Sequence, residues 1–181
     1  KQQKRAEHAL AALSSGSRIV TTADDAAGLA ISQNIRGQRA GIVQAKNNAF
    51  NAQSLIQVSD GGLSEINNVL IRVRELGVQA ASDTVGEVER GYLDQETQQL
   101  LTEANRIAQT TRFGNQTLLN GAGKEMEFQV GPFGGDENII RYNIAADATG
   151  DALGYGSLSV ADKASARGTL DSVDKALINL G

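Results

Sequence analysis

Cysteine and tryptophan are absent from this 181-residue sequence, proline occurs once, and aromatic residues make up only 4% of the chain. The lack of cysteine excludes disulfides, thiolate metal sites and thiol nucleophiles. Basic residues do not cluster, and 17 Lys and Arg stand against 21 Asp and Glu. We therefore expect neither nucleic acid nor a membrane surface as a partner. The longest apolar runs are only a few residues, too short to span a bilayer.

Side chains suited to catalysis or metal binding are also scarce. His8 is the only histidine, and no evident partners could complete a metal site or a catalytic triad with it. Asp24 and Asp25 precede a predicted helix, where carboxylates can cap free backbone N–H groups. A catalytic carboxylate pair is the alternative, and it is disfavoured because no basic residue or histidine lies beside them. We predict that the protein is not an enzyme and has no cofactor.

The most regular pattern runs from Ile42 to Ala80. Apolar or small residues recur there at alternating spacings of three and four, which predicts the seam of a long helix packed lengthwise on partner helices. The seam positions are Ile42, Ala45, Ala49, Ala52, Ile56, Ser59, Leu63, Ile66, Leu70, Val73, Gly77 and Ala80. Since many of them are alanine, we expect the helices to approach closely.

Glycines within this segment oppose a single long helix, because each costs up to about 1 kcal/mol relative to alanine. Two helices hinged at residues 60–62 are therefore an alternative interpretation. The heptad keeps its phase across that point, which favours one helix over about residues 25–81. A 3-4 pattern from Leu93 to Thr111 predicts a second, antiparallel helix over about residues 88–111.

The pattern changes to a period of two after residue 123. Met126, Phe128 and Val130 alternate with polar residues, and so do Ile140 and Tyr142, which predicts a β-hairpin over about residues 125–145. A helical pattern resumes at about residues 161–181. We therefore predict a mainly α fold: a long antiparallel helical rod, or coiled-coil-like bundle, with a small β-hairpin region.

Four polar residues and one leucine lie beside the long seam. Arg72, Leu76 and Gln79 share one helical face, with Arg74 and Glu75 next to them. One interpretation is a flanking contact with the second helix, which spacing alone favours. The other is a protein-docking face, because arginine with an apolar anchor is a common composition of interaction hot spots. The second interpretation expects Leu76 on the surface, outside the core of the chain.

Several stretches together resemble bacterial flagellin. They occur in the same order as in that family and cover nearly the whole chain. The matching stretches are Leu13–Ile19, Asp24–Ile31, Arg72–Gln79, Thr111–Asn115 and Phe128–Gly131.

The resemblance implies a subunit that is secreted through the flagellar export channel and polymerises into the extracellular motility filament. Its implied partners are further copies of itself, a flagellar secretion chaperone, and cap and junction proteins. Residues 1–23 would be the end of an N-terminal filament-core helix plus a connector, and residues 24–181 the rod domain. Most of the terminal filament-core helices would be missing. The short segment at 147–160 leaves room only for a connector, so we expect either a short flagellin or one whose outer domain was removed.

The resemblance also implies recognition by the innate immune receptor Toll-like receptor 5. Arg72, Leu76 and Gln79, together with Glu96 on the second helix, match positions that the receptor recognises in some flagellins. In the filament, the resemblance implies that the same face packs against neighbouring subunits. Two alternatives stay open for the function of the chain. One is a hook–filament junction protein, which shares the helical signatures, and the other is a flagellin homologue that acts as a surface binding module.

Overall fold

The computed structural model describes residues 2–16, 18–20, 25–144 and 146–181. The chain forms two compact units. One comprises residues up to 49 together with 129–140, and the other comprises residues 50–128 and 141–181. The boundary that the sequence analysis places after residue 23 falls outside the described residues and stays a prediction.

Helices dominate the described residues, which confirms the mainly α fold. One uninterrupted helix spans residues 26–80, so the interpretation of two helices hinged at residues 60–62 is wrong. The helices are α1 (Gln2–Ser15), α2 (Ala26–Ala80), α3 (Glu87–Thr110), α4 (Gly150–Leu153) and α5 (Lys163–Leu180).

Aspartates stand at the beginnings of two of these helices. Asp25 Oδ1 accepts a hydrogen bond of 2.8 Å from the Gly28 amide, as a capping carboxylate does; Asp24 lies outside the described residues. At α5, Asp162 Oδ1 accepts from the amides of Ala164 and Ser165. The hydroxyl and amide of Ser165 favour the charged carboxylate and lower the pKa of Asp162.

The second half of α2 runs antiparallel to both α3 and α5. Gly62 of α2 lies against Thr111 at the end of α3, and Arg72, further along α2, bonds to Glu96 nearer the start of α3. The contacts of α2 with α5 move backwards in the same way: Arg74 pairs with Asp174, and Gly77 lies against Leu170. The antiparallel packing of α2 with α3 and with α5 therefore lies within the unit formed by residues 50–128 and 141–181.

The core of this unit combines all three helices with the segments that follow α3. The side chains of Ile66, Leu70 and Val73 on α2 are completely buried. Their buried neighbours in the same cluster are Leu55 on α2, Leu101, Ala104 and Ala108 on α3, Val173 and Ala176 on α5, and Leu118, Leu119, Ile144, Ala148 and Tyr155 between the helices.

The predicted seam is only partly buried. Its positions from Ile66 to Ala80 are buried, whereas Ile42 and Ile56 remain 55% and 46% exposed and Ala49 is also exposed. Leu55 is buried in place of Ile56. An α-helix turns every 3.6 residues, so its buried face drifts by about 20° per heptad from a strict 3.5-residue seam.

Two small sheets follow α3. The strands β1 (Arg112–Phe113) and β2 (Gln116–Thr117) form an antiparallel pair within a stretch that the sequence analysis leaves irregular. The second sheet pairs β3 (Glu125–Gln129) with β4 (Ile139–Asn143) at the predicted hairpin.

We predict that replacing two adjacent glycines of α2 by alanine changes the stability of the protein in opposite directions. A methyl group at Gly61 meets nothing within 4 Å, whereas one at Gly62 comes within 2.7 Å of Leu119 Cδ1 and 2.9 Å of Thr111 Oγ1. We expect Gly61→Ala to stabilise the protein by up to about 1 kcal/mol through helix propensity. We expect Gly62→Ala to destabilise it by about 1–2 kcal/mol through overpacking. Urea unfolding of the two variants measures both effects, and equal stabilisation by both would contradict the close packing at Gly62.

Candidate interaction surface

The six residues that the sequence analysis singles out do not form one continuous patch. Arg72, Arg74, Glu75 and Gln79 are exposed on the last turns of α2, and Glu96 is half-buried on α3. Leu76 is buried. The structure brings Arg72, Glu75 and Glu96 together and directs Arg74 to a different partner.

Arg72 connects α2 with α3. Its Nε and Nη2 donate to Glu96 Oε1 at 3.1 and 2.9 Å, and its Nη1 donates to Glu75 Oε2 at 2.9 Å. Hydrogen bonds from Arg72 to Glu75 and Glu96, in that order, raise the pKa of Arg72. The Arg72 side chain is still 50% exposed, so water and salt weaken these ion pairs. The guanidinium is therefore held in place while it remains accessible to a partner.

Arg74 connects α2 with α5 in the same manner. Its Nε donates to Asp174 Oδ1 at 2.7 Å, and this hydrogen bond raises the pKa of Arg74. Sequence reasoning missed Asp174, because a contact between residues 100 positions apart leaves no local pattern. Arg72 and Arg74 thus hold α2 against its two neighbours from separate faces.

Leu76 is only 1% exposed, and the expectation of a surface position outside the core is wrong. It lies one helical turn after Arg72, and the guanidinium of Arg72 contacts α3. The face of α2 that carries Leu76 is therefore turned towards α3, as the flanking-contact interpretation expects. A helix with two partners buries a wider stripe than a strict heptad seam, which explains the error.

Polar residues of α3 fix the connector between β4 and α5. Asp94 Oδ1 accepts from the Val160 amide and from Ser159 Oγ, both at 2.8 Å. Gln98 Nε2 donates to the Leu158 carbonyl at 2.7 Å, and Asn105 accepts from the Gly150 amide at 3.2 Å. Sequence reasoning missed this set. A signal existed, since residues 94, 98 and 105 share one helical face at spacings of four and seven.

Tyr155 anchors the same connector from inside. Its side chain is completely buried, and its hydroxyl donates to the Ala148 carbonyl at 2.7 Å. Burial, with a smaller contribution from the charge of Asp147, raises the pKa of Tyr155 to about 12. The ionised phenolate is thus strongly disfavoured in the folded protein.

Within the described part of the chain, no group of His, Cys, Asp and Glu side chains is arranged to hold a metal ion. Among the same residues, no helix is long and apolar enough to cross a membrane. The interactions on this surface are ion pairs and hydrogen bonds that stabilise helix packing. The fold and the surface together define a mainly helical protein in which exposed ion pairs link the helices.

Comparison with known proteins identifies the family. Residues 1–124 match the family described as the bacterial flagellin N-terminal helical region. Because this match covers more than half of the sequence, the chain belongs to the bacterial flagellin family, whose members are structural proteins.

Individual relatives agree with this assignment. A flagellin of Halalkalibacterium halodurans is 37% identical over 172 residues, which cover 94% of this chain and 62% of the relative. Polar flagellin F of Vibrio parahaemolyticus is 43% identical over 124 residues, covering 68% of this chain and 33% of the relative. The chain therefore spans less than two thirds of the length of these relatives.

A solved structure supports the fold. The crystal structure of Bacillus cereus flagellin superimposes with a TM-score of 0.65 at 29% identity, covering 75% of this chain and 77% of that one. The long helix and the small antiparallel sheets are thus features of a flagellin-like fold.

Tyr155 predicts a loss of stability at high pH. Its pKa is about 12 in the folded protein, against about 10 for an unperturbed tyrosine, so its contribution is complete below pH 10 and is lost as the pH rises towards 12. A shift of this size corresponds to about 2–3 kcal/mol in the free energy of unfolding. Urea unfolding between pH 8 and pH 12 measures the loss.

Two phenylalanine variants isolate this effect. Tyr155→Phe should lose the hydrogen bond to Ala148 at neutral pH but show a shallower decline above pH 10. Tyr92 is 67% exposed, so Tyr92→Phe should decline as steeply as the unmodified protein. If stability declined equally steeply above pH 10 in the unmodified protein and in both variants, Tyr155 would not be the group responsible for the decline.

Proposed function

We propose that this chain is the structural subunit of a bacterial flagellar filament and that it self-assembles for motility. The observation that carries the proposal is the family match over residues 1–124, together with a flagellin relative that aligns with 94% of the chain. Our proposal assigns no catalytic role to the chain and no cofactor.

The surface of α2 supports self-assembly. Ile31, Ile35, Ile42 and Val43 are all at least half exposed within one of the compact units. Large apolar side chains that recur along one helix favour contact with other protein surfaces. In a filament, each contact is repeated by every subunit, so individually weak contacts suffice for cohesion.

The proposed location is extracellular, in the flagellum, after secretion of the subunit. Besides further copies of the chain, the proposed partners are a flagellar secretion chaperone and the cap and junction proteins of the filament. We include neither nucleic acid nor a membrane among the partners. The division into an N-terminal connector (1–23) and a rod domain (24–181) belongs to the same proposal.

Recognition by Toll-like receptor 5 is a second proposed property. It is supported by the exposure of Arg72 and Gln79 on α2 and by the partial exposure of Glu96 on α3. Arg74 and Glu75 lie beside them and complete the proposed contact set. Leu76 is buried and would not touch a partner itself. Its proposed contribution is to support the shape of the surface formed by the other residues.

Immunogold electron microscopy tests the filament proposal. Antibodies raised against this chain should label flagella along their whole length in the cells that produce it. Disruption of the encoding gene should abolish both the filaments and swimming. Labelling confined to the junction of hook and filament would instead identify a junction protein. Labelling of the cell surface, with motility unchanged in the disrupted strain, would identify a surface binding module.

Variants of Arg72 test the receptor proposal. Arg72→Ala should weaken binding to the receptor ectodomain by about tenfold or more, because a positioned arginine is a frequent hot-spot residue. Arg141→Ala is the matched control, since Arg141 also forms an exposed ion pair, at 2.8 Å from Glu127. Leu76→Ala should weaken binding only together with a lower melting temperature. Unchanged receptor affinity of Arg72→Ala would contradict the proposal.

A further inference from the structure

A cavity of about 440 Å³ lies between the end of α1, the residues that follow it, and the first turns of α2. Two arginines, Arg18 and Arg36, line it together with the hydroxyl-bearing Ser32. Ser15 and Gln33 also line the cavity, and Ile19, Val20 and Leu29 form an apolar wall. All of these residues belong to one compact unit.

Close packing builds the wall of this cavity. A methyl group on Gly28 would come within 3.0 Å of Ile19 Cδ1, so the isoleucine side chain lies directly over the helix backbone. Leu29, Ser32 and Arg36 follow at spacings of three and four, and therefore share one face of α2. The cationic and apolar groups are thus presented side by side on a helical surface.

The two arginines of the cavity differ from other arginines of the chain in their partners. In the part of the chain that the structure describes, neither Arg18 nor Arg36 has a carboxylate partner, whereas Arg72, Arg74 and Arg106 are ion-paired. For Arg36 the sequence explains this difference, because residues 26–59 contain no Asp or Glu although the chain is acidic overall. The carboxylate of Asp25, which immediately precedes α2, accepts a hydrogen bond from the Gly28 amide.

We infer that this cavity binds a carboxylate carried on an apolar group. A guanidinium presents paired N–H donors that match the two oxygens of a carboxylate. The Ser32 hydroxyl adds a donor, and the wall of Ile19, Val20 and Leu29 removes the attached carbon chain from water. Two sources share this chemistry: an acidic side chain next to an apolar one in a polypeptide, and a free aliphatic carboxylic acid. The inference is independent of filament assembly.

Titration of the 181-residue chain with sodium hexanoate, at constant ionic strength, tests this site. The Nε–Hε resonances of Arg18 and Arg36 should shift in a saturable way in NMR spectra. Arg18→Gln and Arg36→Gln should each weaken binding by at least about tenfold through the loss of charge-assisted hydrogen bonds. Arg39→Gln is the matched control; Arg39 is exposed on the same helix and does not line the cavity, so affinity should not change.

Two further ligands complete the experiment. Sodium acetate should bind more weakly than hexanoate, because it lacks the carbon chain that contacts the apolar wall. If a blocked Leu-Asp-Leu peptide binds more tightly than hexanoate, the source of the carboxylate is a polypeptide. If hexanoate binds more tightly, the source is a small carboxylic acid. Saturable binding of either ligand supports the site. Shifts that stay linear with concentration and are equal in all four proteins would overturn the inference.

Discussion

Close approach of helices along the second half of α2 is the constraint on which the larger unit depends. Gly62 and Gly77 leave no room for a side chain against Thr111, Leu119 and Leu170, so backbone and neighbour are in direct contact. Ile66, Leu70 and Val73 fill the space between these points and are completely buried. The exposed arginines of the same segment add ion pairs to α3 and α5, but in water such pairs contribute less than the buried contacts.

The periodic parts of the sequence predict the structure well. The 3-4 alternation of apolar residues correctly predicts that α2 continues as one helix through Gly61 and Gly62. The apolar spacing outweighs a helix-propensity cost of about 1 kcal/mol per glycine. The strict heptad fails at Ile42, Ala49 and Ile56, where helical drift turns the predicted seam towards solvent. Sequence reasoning misses the contacts of Asp94 with the connector, since its two partners, the Ser159 hydroxyl and the Val160 amide, lie some 65 residues away.

The structure brings together only some of the residues that the sequence analysis places on the candidate surface. Arg72, Glu75 and Glu96 do meet, and a motif can suggest such a group. Burial of Leu76 depends on the presence of α3 beside α2, as the flanking-contact interpretation expects. Arg72 joins two helices within the chain, and its side chain remains 50% exposed. The cavity at Arg18 and Arg36 differs, because its cations lack carboxylate partners among the described residues.

Amide hydrogen exchange along α2 tests the central claim most directly, namely that tertiary packing and not helix propensity stabilises its second half. Amides of residues 66–80, where the seam is buried, should exchange only through global unfolding. Amides of residues 26–44, where the side chains are largely exposed, should exchange faster by on the order of a hundredfold or more in the isolated chain. Uniform protection along the whole of α2 would contradict the account.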